Sequence, residues 1–151
     1  MMDQKKLYQN LRSLCEGETD LITLMATVSC EVYSYDSRCS WTGFYRVVGP
    51  ELLKVGPYQG GHGCLRIPFN RGVCGAAARS GKPQLVGNVE TYPDHIACSS
   101  ETKSELVLPV YNKNRELIAV FDLDSEKLNA FSNEDVDFYE GLLTDIFGVV
   151  A

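Results

Sequence analysis

Cys98 stands three residues after His95 in the polar stretch Asp94-His95-Ile96-Ala97-Cys98-Ser99-Ser100. A thiolate is a strong nucleophile, but a free cysteine has a pKa of about 8.5 and is mostly protonated at neutral pH. A cationic His95, or backbone N–H groups of the loop, would hold Cys98 as the anion. The same residues equally suit an inert, buried cysteine. Cys64 follows Gly60-Gly61-His62-Gly63, a run that leaves its sulfur free to swing. Cys74, in Gly72-Val73-Cys74-Gly75, falls near the start of a short alanine-rich segment; a helix dipole there would favour its thiolate, whereas close packing would not. His62, Cys64, Cys74, His95 and Cys98 are also zinc-ligand types. No CxxC pair stands among them, and a zinc site usually shows one close pair. Cys15, Cys30 and Cys39 have no motif around them.

Asp122 and Asp124 are set two apart in Val120-Phe121-Asp122-Leu123-Asp124, an apolar strand pattern, and so point the same way. Two carboxylates on one face repel, which raises one pKa toward that of an acid useful at neutral pH. Such a cluster also suits an ammonium group. The alternative is a solvated strand end leading into Ser125-Glu126-Lys127. Trp41 and Tyr45 are four apart, with Gly43 between them, and share a strand face. They either wall a pocket or pack a core.

The elements that must position these groups follow from hydrophobic period. Residues 3–15 carry Leu7, Leu11 and Leu14 at helical spacing, and a second helix begins near Thr19 with Leu21, Leu24, Met25, Val28 and Val32 on its apolar face. Residues 40–48 and 51–57 form a hairpin about Val48-Gly49-Pro50-Glu51, and 64–69 a further strand. Residues 72–80 form a short helix stopped by Gly81; 84–86 is a short strand, and 87–101 a long loop. Residues 104–111 and 117–123 form a second hairpin. Ser132 and Asp135 cap a last helix running to about Val149, with Val136, Tyr139, Leu142, Leu143 and Ile146 on its buried side. The order predicts one α+β domain over residues 1–151: an antiparallel sheet, helices on one face and a loop-covered pocket on the other.

The chain has 151 residues and a net charge of −6, and its longest basic run is Lys5-Lys6, which argues against a nucleic-acid surface. No apolar run is long enough to cross a bilayer, and the N-terminal residues do not read as a secretory signal. Six cysteines in a chain of this kind point to a cytoplasmic protein with reduced thiols.

Several segments resemble the GAF-type free methionine-(R)-sulfoxide reductases over about residues 20–148: Trp41-Thr42-Gly43-Phe44-Tyr45, Gly56-Pro57-Tyr58-Gln59-Gly60, Cys64-Leu65-Arg66-Ile67-Pro68-Phe69, Arg71-Gly72-Val73-Cys74-Gly75, His95-Ile96-Ala97-Cys98, Ser104-Glu105-Leu106-Val107-Leu108-Pro109 and Asp122-Leu123-Asp124-Ser125. The resemblance implies a GAF fold with Cys98 as nucleophile, Cys64 as its resolving partner and Cys74 as a third, auxiliary cysteine. It places Trp41 and Tyr45 at the methyl end of the substrate, and Glu105 with Asp122 and Asp124 in an acidic cluster. It further implies a thioredoxin-type reductant, with no cofactor and no resident metal. Two positions depart from the family: Ser99 stands where Asp is usual after the nucleophile, and Asp94 where Gly is frequent before the histidine. A bilin-type GAF sensor would carry a Cys-His dipeptide, which is absent. The apolar C-terminal residues and the first helix suggest a homodimer.

Overall fold

The computed structural model describes residues 2–151; Met1, the first residue of the expected domain, lies outside them. Helix α1 spans Gln4–Leu14 and α2 Leu21–Tyr35, followed by strands β1 (Trp41–Gly49), β2 (Leu52–Gln59) and β3 (Arg66–Pro68). Helix α3 (Gly72–Ser80), strand β4 (Gln84–Val86), the hairpin β5 (Ser104–Tyr111) and β6 (Leu117–Ser125), and helix α4 (Asn133–Phe147) complete the chain. The strands form one antiparallel sheet in the order β3-β2-β1-β6-β5-β4. It is the α+β architecture expected from the element order.

Alternation along the strands divides the molecule into two apolar layers. On one face, Phe44, Leu106, Leu108, Phe121 and Leu123 meet Leu7, Leu11, Met25, Val28, Leu142 and Phe147 of α1, α2 and α4. On the other, Trp41, Tyr45, Val107 and Val120 meet Val73, Cys74, Ala77 and Ala78 of α3. Helix α3 therefore shares the pocket face, rather than joining the other helices as expected. Its small residues let it lie close to the sheet.

Several expected boundaries move. Asp20, not Thr19, caps α2, accepting the Thr23 N–H at 3.0 Å. Leu14 is exposed, because α1 ends there and its seam is closed by Leu7 and Leu11. Cys64 lies before β3 rather than within it, and β6 runs two residues further, drawing Asp124 into the ladder. A 3-10 turn, Val89–Thr91, interrupts the long loop. The Ser132–Asp135 capping box is present, while Val136 is only partly buried.

One polar network joins the elements on the helical face. The Arg38 guanidinium donates to Asp36 Oδ1 and Oδ2, both at 2.8 Å, and to Asp135 at 2.8 and 3.0 Å. The Tyr139 hydroxyl also donates to Asp36, at 2.8 Å. This ties the end of α2 to the start of α4. Arg38→Met is expected to leave a buried Asp36 charge without its partner and to cost about 3–5 kcal/mol, measured as a fall in the urea unfolding midpoint. Tyr139→Phe should cost about 1 kcal/mol in the same assay.

Candidate active site

The sheet itself builds the floor of the site. In the β1–β6–β5–β4 ladder, Trp41 is opposite Asp124, Asp124 opposite Glu105, and Glu105 opposite Val86. One row further along, Gly43 is opposite Asp122 and Asp122 opposite Val107. Directly paired residues share a face, so register alone gathers three carboxylates from two strands beside Trp41. Asp122 and Glu105 are buried, at 4% and 6% exposed.

A cavity of about 460 Å³ opens over this floor, with Trp41, Tyr45, Cys74, Cys98 and His95 also in its wall. Every residue expected at the site faces it except Cys64, which joins it through a disulfide to Cys98 across 34 residues, with Cα atoms 5.3 Å apart. His95 Nε2 stands 3.7 Å from Glu105 Oε1, so the histidine faces the acid floor. Glu126, an exposed residue just past β6, also lines the cavity. Its position follows from the two extra residues of β6, which no local pattern reveals.

The aromatic wall is tightly specified. Trp41 stacks between Tyr45 and Tyr58, with ring centroids 5.7 and 5.1 Å away. Its indole N–H donates to the Gly61 carbonyl at 2.7 Å, pinning the loop that carries Cys64. A Cβ on Gly43 would come within 2.8 Å of the Trp41 ring and collide with Tyr58. One on Gly63 would meet the Tyr45 hydroxyl at 2.8 Å and the Trp41 ring at 2.9 Å. Tyr58 was not among the residues expected here, although its Gly-Pro-Tyr-Gln-Gly segment stood out in the sequence.

The Cys98 loop is held from its other end. Asp94 has φ +57°, the left-handed region that favours glycine and that Asp tolerates better than most residues. Its carbonyl accepts the Gly72 N–H at 3.0 Å. The position where the family frequently has Gly is thus one whose backbone in this chain favours glycine.

Electrostatically the floor is unsatisfied. Asp122 Oδ1 and Asp124 Oδ1 are buried without hydrogen-bond partners. Burial first, and then nearby negative charge (Asp124 and Glu105 for Asp122, Glu105 for Asp124), pushes both carboxyls well above the usual carboxylate range. Burial likewise raises the Cys74 thiol well above its ordinary value, with Asp122 adding to the effect. Of the two readings of Cys74, the structure favours close packing: it is the third residue of α3 and buried, and desolvation and nearby negative charge oppose the dipole.

A model of the GAF domain family matches residues 15–147. The free methionine-R-sulfoxide reductase of Escherichia coli is 35% identical over 145 residues, covering 96% of this chain and 87% of that protein. The structure of the Neisseria meningitidis free methionine-R-sulfoxide reductase in complex with its substrate superposes with a TM-score of 0.89 at 36% identity, covering 95% of this chain and 85% of the other. The reduced form of Staphylococcus aureus fRMsr superposes at 0.94 with 30% identity, covering 100% and 97%.

A carboxyl whose pKa is raised by folding stabilises the fold below its unfolded pKa, and that contribution is lost as pH rises through the folded value. Asp122→Asn removes this loss. The variant should exceed wild type in urea stability near about pH 8, by about 1.4 kcal/mol for each unit by which folding raises the carboxyl, with the difference vanishing near about pH 4. An advantage that persists unchanged at the acidic end would contradict the assignment.

Proposed function

This chain belongs to the GAF-domain family of free methionine-R-sulfoxide reductases, and on that premise we propose that it reduces free methionine-(R)-sulfoxide to methionine in the cytoplasm, with Cys98 as nucleophile. The observation that carries the proposal is the placement of Cys98 in the wall of an acid-floored cavity, within bonding distance of Cys64.

The substrate has an ammonium at one end and a methyl sulfoxide at the other. The buried carboxylate oxygens without partners suit the ammonium. The stacked wall of Trp41 and Tyr45 suits the methyl group and excludes water. In the reaction, the Cys98 thiolate attacks the sulfoxide sulfur, and one of the raised carboxyls, Asp122 or Asp124, supplies a proton to the oxygen. The S–O bond breaks and oxygen passes to Cys98. The substrate sulfur gains two electrons and leaves as methionine, while Cys98 becomes a sulfenic acid. Cys64 then attacks that sulfur, water leaves, and the Cys64–Cys98 disulfide forms. A thioredoxin-type dithiol returns both to thiols by exchange, taking the disulfide itself. His95, beside Glu105, orients that carboxylate and stands near the nucleophile. Cys74 serves as an auxiliary thiol only, because its buried, acid-flanked sulfur resists becoming a thiolate. A homodimer would use the exposed Leu14 and Val149 near the chain ends.

Cys98→Ser should release no methionine in a single turnover. Cys64→Ser should release about one methionine per chain, then stall at less than about a tenth of the wild-type steady rate with a thioredoxin-type reductant, the scale of loss when a unit of covalent machinery is broken. Unimpaired cycling by Cys64→Ser would exclude it as the resolving thiol. Comparable wild-type rates on a peptide containing methionine sulfoxide would contradict the free amino acid as substrate.

A further inference from the structure

Cys74 is a buried thiol in the acid cluster, and the proposed cycle gives it no necessary step. It lies on α3, facing Glu105 of β5 and Asp122 of β6, and one donor atom from each of the three residues falls within 4.8 Å of the others. Asp122 is 4% exposed, its Oδ1 has no partner, and it lines the cavity. His95 Nε2, 3.7 Å from Glu105 Oε1, stands next to the group. The cavity wall carries Glu101, Glu105, Asp122, Asp124 and Glu126 but no Lys or Arg. An ammonium would use the oxygens of this cluster and leave the sulfur unused.

We propose that Cys74, Glu105 and Asp122 form a site for one thiophilic divalent cation of the zinc class, its fourth position open to a solvent oxygen, which competes with free amino acid for the cavity. One sulfur and two carboxylate oxygens, with a solvent oxygen completing four-coordination, suit Zn²⁺ or Co²⁺. They do not suit Mg²⁺, which requires six oxygen ligands in near-ideal octahedral geometry. The ion displaces the thiol proton on binding and neutralises carboxylates that otherwise repel. The ion is an inhibitor, not a cofactor. The site uses neither Cys64 nor Cys98, so it persists when their disulfide is closed, as in this structure. That separates it from ordinary metal poisoning of catalytic thiols, which requires the reduced pair.

The test is titration of the full-length, disulfide-closed protein with Co²⁺, following thiolate-to-cobalt charge transfer in the near ultraviolet and the visible bands of tetrahedral cobalt. One Co²⁺ per chain is expected, displaced by Zn²⁺ and by free methionine sulfoxide but not by Mg²⁺. Cys74→Ser should lose the charge-transfer band. Asp122→Asn, which is expected to fold at least as stably as wild type, should keep the band but bind at least about tenfold more weakly. No stoichiometric band in wild type, a band surviving in Cys74→Ser, or unchanged affinity in Asp122→Asn would overturn the proposal. Cobalt binding to the oxidised protein tests the site apart from turnover; the displacement by methionine sulfoxide rests on the proposed function, and its failure alone would overturn the competition but not the site.

Discussion

The structure depends on carboxylates buried without a cation of their own. The chain holds two sets of acids with buried oxygens and treats them oppositely. Asp36 and Asp135, on the helical face, share the Arg38 guanidinium and are fully engaged. Asp122 and Asp124, on the pocket face, keep an oxygen each with no partner. Burying an unpaired polar group costs free energy that packing elsewhere must offset. A fold that supplies an arginine to one set and withholds it from the other leaves the second set complementary to a positive group arriving from outside. The pocket face is therefore preorganised for a ligand at the expense of stability.

The same economy shapes the aromatic wall. Trp41 is bracketed by Tyr45 and Tyr58, and close approach to its ring excludes even a methyl group at Gly43 and Gly63. The indole hydrogen bond to Gly61 then fixes the backbone three residues before Cys64. One side chain thus sets both the shape of the apolar end of the cavity and the approach of the second sulfur. Because the cross-strand register places Trp41 opposite Asp124, the apolar and acidic ends of the cavity are joined through a single ladder pair.

Most of this was legible from residue order. The period-2 pattern fixed which way Asp122, Asp124, Trp41 and Tyr45 point, and the alanine-rich run with its glycine stop located α3 at its observed bounds. What escaped is non-local. Nothing near Glu105 shows that it pairs with Asp124; that follows from the register of the last hairpin, and only the family resemblance placed it in the acidic cluster. Cys74 illustrates the same limit. Its local setting suits either a dipole-favoured thiolate or close packing, and the acids that decide between them come from β5 and β6, far away in sequence. The side of the sheet on which α3 packs was likewise unreadable, because short helices of small residues have little amphipathic signal.

The anchors also limit how far the two redox loops must travel. The bond between Cys64 and Cys98 holds one short segment against another, and each segment is fixed just upstream by a contact that involves neither sulfur. On one side the Trp41–Gly61 hydrogen bond leaves only Gly61 to Cys64 to move. On the other, the Gly72–Asp94 hydrogen bond, with Asp94 in its left-handed conformation, leaves Asp94 to Cys98. Cys98 cannot bond Cys64 and meet a substrate sulfur at once, so a cycle of this kind needs a displacement. Such a displacement would fall on the residues just after the two anchors, 61–64 and 94–98, to which neither Trp41 nor the carboxylates of the floor belong.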